Sequence, residues 1–132
     1  AVKLPFRYEG TLVARLGIEF KALSKERMVL TMPIDERTMQ YEGALHGGAS
    51  LTLAETAAGI GTWMNIDPGK QTVVALEINA NHIRAAGPGT VTATALPCHI
   101  GRTTAVWEVR ITDEKEKLIC VSRCTLAIVD KK

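Results

Sequence analysis

The stretch ALHGGASLTLAETAAGIGTW (Ala44–Trp63) decides how the rest of the chain is read. It is built from Ala, Leu, Gly and Thr, and Glu55 is its one carboxylate. Its length and composition predict a helix from about Gly47 to Met64, opened by His46-Gly47-Gly48. It cannot span a membrane. Glu55 sits at its centre, four glycines fall between Gly47 and Gly61, and it lacks the ~20 apolar residues that a span needs.

Outside this helix the chain reads as strands. Ile18–Ser24 and Arg27–Ile34 flank a polar turn at Lys25-Glu26, and Thr11–Gly17 reads as a short helix or turn. The loop DERTMQYEGALH (Asp35–His46) leads to the two glycines. Asp67, Pro68 and Gly69 close the helix with turn formers. Thr72–Arg84 is long and rich in β-branched residues. Thr90–Ile100 alternates outward threonines with inward Val91, Ala93 and Ala95, and Pro97 marks a bulge or an edge. In Thr103–Thr112, Ala105, Trp107, Val109 and Ile111 face one way, and Glu108 and Arg110 the other. The tip DEKEK precedes a last, largely buried strand at Leu118–Val129. The connections among the four later strands are short, so these strands are expected to pair antiparallel. One apolar helix among six strands must bury itself on the sheet face. The expectation is one α+β domain over residues 1–132, a curved antiparallel sheet wrapped on a central helix.

Composition is that of an ordinary soluble chain: 132 residues, 46% hydrophobic, 23% charged, net charge +2, pI about 8.5. The charge is too mild and scattered to imply a nucleic-acid partner. AVKLPFRYEG has no apolar run of the kind a signal peptide carries. Cys98, Cys120 and Cys124 are an odd number, and two cysteines four apart on one strand stand roughly 13 Å apart by strand rise, beyond disulfide reach. All three read as reduced core thiols, and the expected location is cytoplasmic.

Several catalytic motifs are absent. GASLT fails the nucleophile elbow at Thr52, GIGTWM fails the dinucleotide fingerprint at Met64, and His46, His82 and His99 have no metal-ligand spacing. The loop–helix unit remains. The first N–H groups of a helix and its dipole favour negative charge, as a developing oxyanion requires. Glu55 lies roughly 12 Å along the axis from Gly47 by helix rise. Two readings stay open from the residues alone. Glu55 either does chemistry or meets a lysine or arginine from elsewhere in the fold, and Gly47-Gly48 either cradles a ligand or merely permits a tight turn into the helix.

QYEGALHGGASLTLAE (Gln40–Glu55), followed by VVALEINANHIRAA (Val73–Ala86), resembles the hotdog-fold acyl-CoA thioesterases. The branch is that of 4-hydroxybenzoyl-CoA thioesterase and 1,4-dihydroxy-2-naphthoyl-CoA hydrolase. The likeness runs from about Arg27 to Val129. It implies the hotdog fold and hydrolysis of an acyl-CoA thioester, with an aromatic acyl group. It implies no metal or redox cofactor, coenzyme A being part of the substrate. It further implies a homodimer at least, as half of a tetramer, with active sites at the dimer interface. Glu55 would be nucleophile or general base, the Gly47 N–H would polarise the thioester oxygen, and Gln40 and His46 would orient the reacting groups. Coenzyme A would be held by His82, Ile83, Arg84 and Ala85 and by His99, Ile100, Gly101, Arg102, Thr103 and Thr104. Gly59 stands where relatives often carry Ser or Thr, one turn after Glu55, and it faces the substrate with it. The rival readings are a thioesterase acting on groups borne by a carrier protein, a hydratase or dehydratase on the same fold, and a non-catalytic acyl-CoA-binding module.

Overall fold

The computed structural model describes residues 4–132. Residues 1–3, part of the stretch read for a leader, lie outside it. A short helix α1 (Leu12–Arg15) is capped by Thr11, whose hydroxyl accepts the Ala14 N–H. The strands are β1 (Glu19–Leu23), β2 (Met28–Ile34), β3 (Gln71–His82), β4 (Gly89–Ile100), β5 (Thr104–Thr112) and β6 (Leu118–Asp130), with α2 (Gly47–Trp63) between β2 and β3. The sheet is wholly antiparallel, in the order β1-β2-β4-β5-β6-β3. The expected elements are all present.

One pairing differs from expectation. β3 does not neighbour β4 across the GPG turn; it forms the far edge, against β6. Two intervening strands put β3 and β4 three spacings apart, about 14 Å, which the six residues of Ile83–Pro88 can span at ~3.3 Å each. Their backbone is engaged on the way. The Ile83 and Arg84 N–H groups donate to the Ile119 carbonyl, and the Ala86 carbonyl accepts the Leu45 N–H at 2.8 Å.

The helix packs on the inner face of the sheet through Leu53 and a row of small residues, Ala49, Ala54, Ala57, Ala58 and Gly61. Small side chains bring the helix close and let the strands curve round it. Val91, Ala93 and Ala95 face it from β4, and Ala105, Trp107, Val109 and Ile111 from β5, all fully buried. Full burial of a Val-, Leu- or Ile-sized side chain stabilises by roughly 1.5–3 kcal/mol. The Trp107 Nε1–H donates to Thr62 Oγ1 at 2.9 Å, so the one polar group of the buried indole is paired. Gly61 is required here, because a Cβ on it would stand 2.7 Å from the Trp107 ring. Pro97 sits at a bulge, between Leu96 and His99, where β4 has run past the end of β2. It therefore removes no ladder bond to β2.

Cys120 and Cys124 are buried, but Cys98 is exposed. It lies on the outward side of β4, in step with the alternation that buries Val91, Ala93 and Ala95. No helix among the described residues is long and apolar enough to cross a membrane.

Candidate active site

The start of α2 is built by the loop before it. Met39 and Leu45 form an isolated antiparallel bridge. The Gln40 N–H donates to the Ala44 carbonyl, and the His46 N–H to the Thr38 carbonyl, both at 2.8 Å. Alternation along this small ladder puts Gln40 and His46 on one side of it. The turn at its tip needs Gly43 at φ +88°, and the Gly43 N–H donates to the Gln40 carbonyl. Gln40 Oε1 accepts the Glu42 N–H, which leaves the two Nε2 donors without a partner among the described residues.

His46 is the N-cap of α2. Its Nδ1 accepts the Gly48 N–H at 2.8 Å. A ring accepting at Nδ1 is neutral and carries its proton on Nε2, and that is the nitrogen left to face a ligand. The next two N–H groups, of Ala49 and Ser50, reach the His46 carbonyl. The Gly47 N–H has no acceptor among the described residues. The helix thus opens on one unpartnered donor at its positive end. The His82 ring packs against the same residue, since a Cβ on Gly47 would stand 2.9 Å from His82 Nε2. His82, expected among the coenzyme A contacts, is therefore also a neighbour of the helix start.

Glu55 is exposed in the protomer. α2 buries one side on the sheet, and Glu55 lies on the other. It forms no ion pair among the described residues, so the reading in which it balances a lysine or arginine finds no partner here. It borders a cleft of about 270 Å³ between α2 and the start of β3, lined also by Gly59, Trp63, Thr72, Val73 and Leu126. Sequence reading did not assign Trp63, Thr72 or Val73 to the site. The signal was present in the spacing, since Glu55, Gly59 and Trp63 follow one another at i, i+4 and i+8 along one stripe of the helix. Beneath this region lies Cys124, whose thiol is pushed up to about 12 by burial, with the charges of Glu55 and Glu77 adding to the shift.

The residues expected to hold coenzyme A fall at two ends of the sheet. Ile83, Arg84 and Ala85 follow β3, beside the β5–β6 hairpin. Arg84 and Ala85 border an open cleft of about 380 Å³ that Lys115 and Lys117 share with Asp113 and Glu114. The Asp113 carboxyl is held below its usual range, chiefly by the N–H groups of Lys117 and Lys115, with a smaller contribution from the Arg84 charge. His99–Thr104 form the β4–β5 turn at the opposite end, where the Gly101 N–H donates to the Thr104 carbonyl at 2.8 Å. The length of β5 puts about 25 Å between Arg84 and Arg102 within one protomer.

The chain resembles known proteins. The family profile of the thioesterase superfamily matches residues 42–120. The chain belongs to the thioesterase superfamily. The Bacillus subtilis protein ComA2, an esterase by name, is 55% identical over 121 residues, covering 92% of this chain and 96% of that one. The 1,4-dihydroxy-2-naphthoyl-CoA hydrolase of Listeria monocytogenes is 49% identical over 117 residues, covering 89% and 94%. The crystal structure of a Haemophilus influenzae thioesterase superposes with a TM-score of 0.88 at 45% identity, covering 92% of this chain and 85% of that one. The fold is the hotdog fold, and the chain is a thioesterase.

Proposed function

We propose that this thioesterase cleaves an aromatic acyl-CoA to the free acid and coenzyme A, with Glu55 as nucleophile or general base. The observation that carries the proposal is the pairing of two groups on one helix: the open Gly47 N–H at its positive end and, two turns on, a carboxylate with no cation beside it. In the general-base form, Glu55 takes a proton from water and the oxygen attacks the thioester carbon. The Gly47 N–H receives the oxyanion, and the C–S bond breaks as the sulfur is protonated. In the nucleophilic form a Glu55 oxygen attacks the thioester carbon, the C–S bond breaks and coenzyme A leaves as its thiolate, which takes a proton from solvent; water then hydrolyses the mixed anhydride to the acid and regenerates the Glu55 carboxylate. The Gln40 Nε2 and His46 Nε2 donors steady the carbonyl and the attacking group. The reaction so written draws on no metal or redox cofactor. The aromatic acyl group rests on the named activity of the Listeria relative.

The site is completed by a second copy of the chain. Gly47 and Glu55 are roughly 12 Å apart along one axis, too far to share a carbonyl. β3 offers the solution. It is an edge strand with Val74 49% and Leu76 61% exposed, which is an aggregation hazard unless it is covered. Antiparallel pairing of two β3 strands about a twofold axis is self-complementary. It carries Glu55, beside Ala75, toward the partner's Gly47, beside the partner's His82. The same pairing brings Arg84 to the end of the sheet that holds the partner's Arg102, giving cations from two chains for the phosphates of coenzyme A. Two such dimers would make the tetramer. The protonated, buried Cys120 and Cys124 suit a reducing, cytoplasmic setting.

The test is thiol release from benzoyl-CoA by the wild type and by Glu55→Gln. Turnover in the wild type and its loss in the variant support the reading. Hydrolysis untouched by the substitution removes Glu55 from the mechanism, and thioester binding without hydrolysis makes the chain a binding module.

A further inference from the structure

Thr38 lies in the loop between β2 and α2 and is only 2% exposed. A buried hydroxyl is destabilising unless it is paired. Here every polar group of the residue is paired. Its Oγ1 donates to the Pro33 carbonyl at 2.7 Å and accepts the Asp35 N–H at 3.2 Å. Its N–H donates to the Asp35 carbonyl at 2.9 Å, and its carbonyl accepts the His46 N–H at 2.8 Å. The hydroxyl proton is committed to Pro33, so the side chain has no donor left for a substrate. What these bonds do is join the end of β2 to the start of α2. Pro33 is a firm anchor, lying inside the sheet in register with Thr90 of β4. The turn between the two ends is compact. The Asp35 carboxylate accepts the Arg37 N–H and pairs with its guanidinium, and the Asp35 carbonyl accepts the Met39 N–H.

Successive peptides lead from this loop into the helix. The N–H of Leu45 is held by the Ala86 carbonyl at 2.8 Å, and the next, of His46, by Thr38. The one after, of Gly47, has no acceptor among the described residues. The direction of that open N–H follows from the placement of the peptide before it and from the His46 φ and ψ, −69° and 132°. The bond from the Gly48 N–H to the His46 ring secures His46 on the helix side. Thr38 secures it on the loop side. A threonine suits this task, because branching at Cβ restricts χ1 and so keeps the hydroxyl on its partners.

We infer that Thr38 is a positioning residue for thioester cleavage: bonded to β2 through its hydroxyl and to His46 through its carbonyl, it aims the Gly47 N–H at the reacting carbonyl. This rests on the reading proposed above, in which that N–H receives the oxyanion. A donor fixed in advance is effective because nothing has to reorganise as charge develops. A loop set loose at Thr38 still admits the substrate but presents the donor off line, so the loss falls on turnover and not on binding.

The experiment uses benzoyl-CoA and its ketone analogue, in which a methylene between carbonyl and sulfur blocks hydrolysis. Turnover is measured on the first, and the carbonyl stretch of the bound second by isotope-edited infrared spectroscopy. Thr38→Val keeps the shape and loses the hydroxyl, and Thr38→Ser keeps the hydroxyl. Thr62→Val is the control. It removes another buried hydroxyl, the acceptor of the Trp107 N–H, roughly 22 Å along α2 from Gly47. Thr38→Val should lower kcat at least about ten-fold, since a donor misplaced by 1 Å can cost ~10²-fold, with KM within about two-fold of wild type. The carbonyl band should move from its hydrogen-bonded position toward that of the analogue in apolar solvent. Thr38→Ser should recover most of both, and Thr62→Val should melt lower and change neither. If Thr38→Val does not fold, Thr38→Ala replaces it, because the smaller side chain leaves room for a water on the Pro33 carbonyl and the Asp35 N–H. An equal loss in Thr62→Val, or a Thr38→Ser no better than the hydroxyl-free variant, overturns the inference. The parent reading fails differently. A wild type that leaves benzoyl-CoA intact, or whose bound analogue shows the apolar-solvent band, removes the Gly47 role and that of Thr38 with it. An active wild type with a shifted band, whose folded hydroxyl-free variant matches it in both, removes the role of Thr38 alone.

Discussion

His82 Nε2 stands 2.9 Å from the place a Cβ on Gly47 would occupy. The imidazole at the end of β3 therefore packs against the first residue of α2, and the two cannot be altered independently. Gly47→Ala should fold normally, because the obstructing atom ends a rotatable side chain and alanine is favoured in a helix. It should still displace the ring and lower kcat/KM about ten-fold, or ~1.4 kcal/mol. In a His82→Ala background the same change should add little, since residues in contact show non-additive losses. A double-mutant cycle on kcat/KM measures this, and strictly additive losses would show that the contact transmits nothing.

Glu55→Gln keeps the size of the side chain and removes its charge. A positioned base contributes typically 10²–10⁴-fold, so kcat should fall at least ~100-fold with KM little changed. Glu55 is exposed and has no ion pair among the described residues, so the melting temperature should not move. A variant that stays active and melts many degrees lower would mean that the carboxylate supports structure.

Two glycines two residues apart should respond with opposite signs. Gly61→Ala forces a methyl to 2.7 Å from Trp107, and overpacking of this kind costs about 1–3 kcal/mol. Gly59→Ala meets open space and should stabilise by up to about 1 kcal/mol through helix propensity. Thr62→Val, on the same turn, leaves the buried Trp107 Nε1–H without its acceptor and should cost ~1–3 kcal/mol. Thermal melts of the three variants give the order directly.

The fold was legible because its periodicities are strong. Ala105, Trp107, Val109 and Ile111 alternate cleanly, and all four are fully buried. The small-residue helix could have no role but the core. What the sequence hid were relationships between elements. A six-residue link after His82 is long enough to turn back or to cross, and spacing cannot choose, so β3 was placed beside β4 and lies beside β6. The neighbours of Glu55 in sequence are apolar and give no sign of which side of α2 stays open, yet Gly59, Ile60 and Trp63 line the cleft with it. Cys98 was read as a core thiol together with the other two, although the alternation that turns Val91, Ala93 and Ala95 inward points position 98 outward, where it is exposed.

The thiols should divide accordingly. Cys98 is exposed and should react with Ellman's reagent in the folded protein, whereas Cys120 and Cys124 are buried and should react only after denaturation. Burial raises both buried thiols above their ordinary value of 9.0, Cys124 to about 12. Between pH 9 and 12 the unfolded chain ionises while folded Cys124 keeps its proton, so the folded state binds more protons and stability falls as pH rises. Below pH 9 both states are protonated and the thiol contributes no slope. Cys124→Ser should flatten the alkaline part of the stability curve; three thiols reacting at one rate in the native protein would contradict the burial.

Gly47 and Glu55 lie eight residues apart on α2, and no bending of a continuous helix brings them to one carbonyl. If each site takes Gln40, His46 and Gly47 from one chain and Glu55 from the other, then Glu55→Ala and Gln40→Ala inactivate both sites of their own homodimers. A mixed dimer differs. One of its sites collects both defects, while the other collects neither. After exchange through dissociation and reassembly, random pairing makes about half of the dimers mixed. Each then carries one intact site of two, so recovery should approach a quarter of wild-type activity, with an unchanged KM because the surviving site is whole. Exchange is verified by differential tagging of the two variants. Verified exchange with no recovery would place the whole site within one chain and leave the 12 Å along α2 to be closed by some other residue.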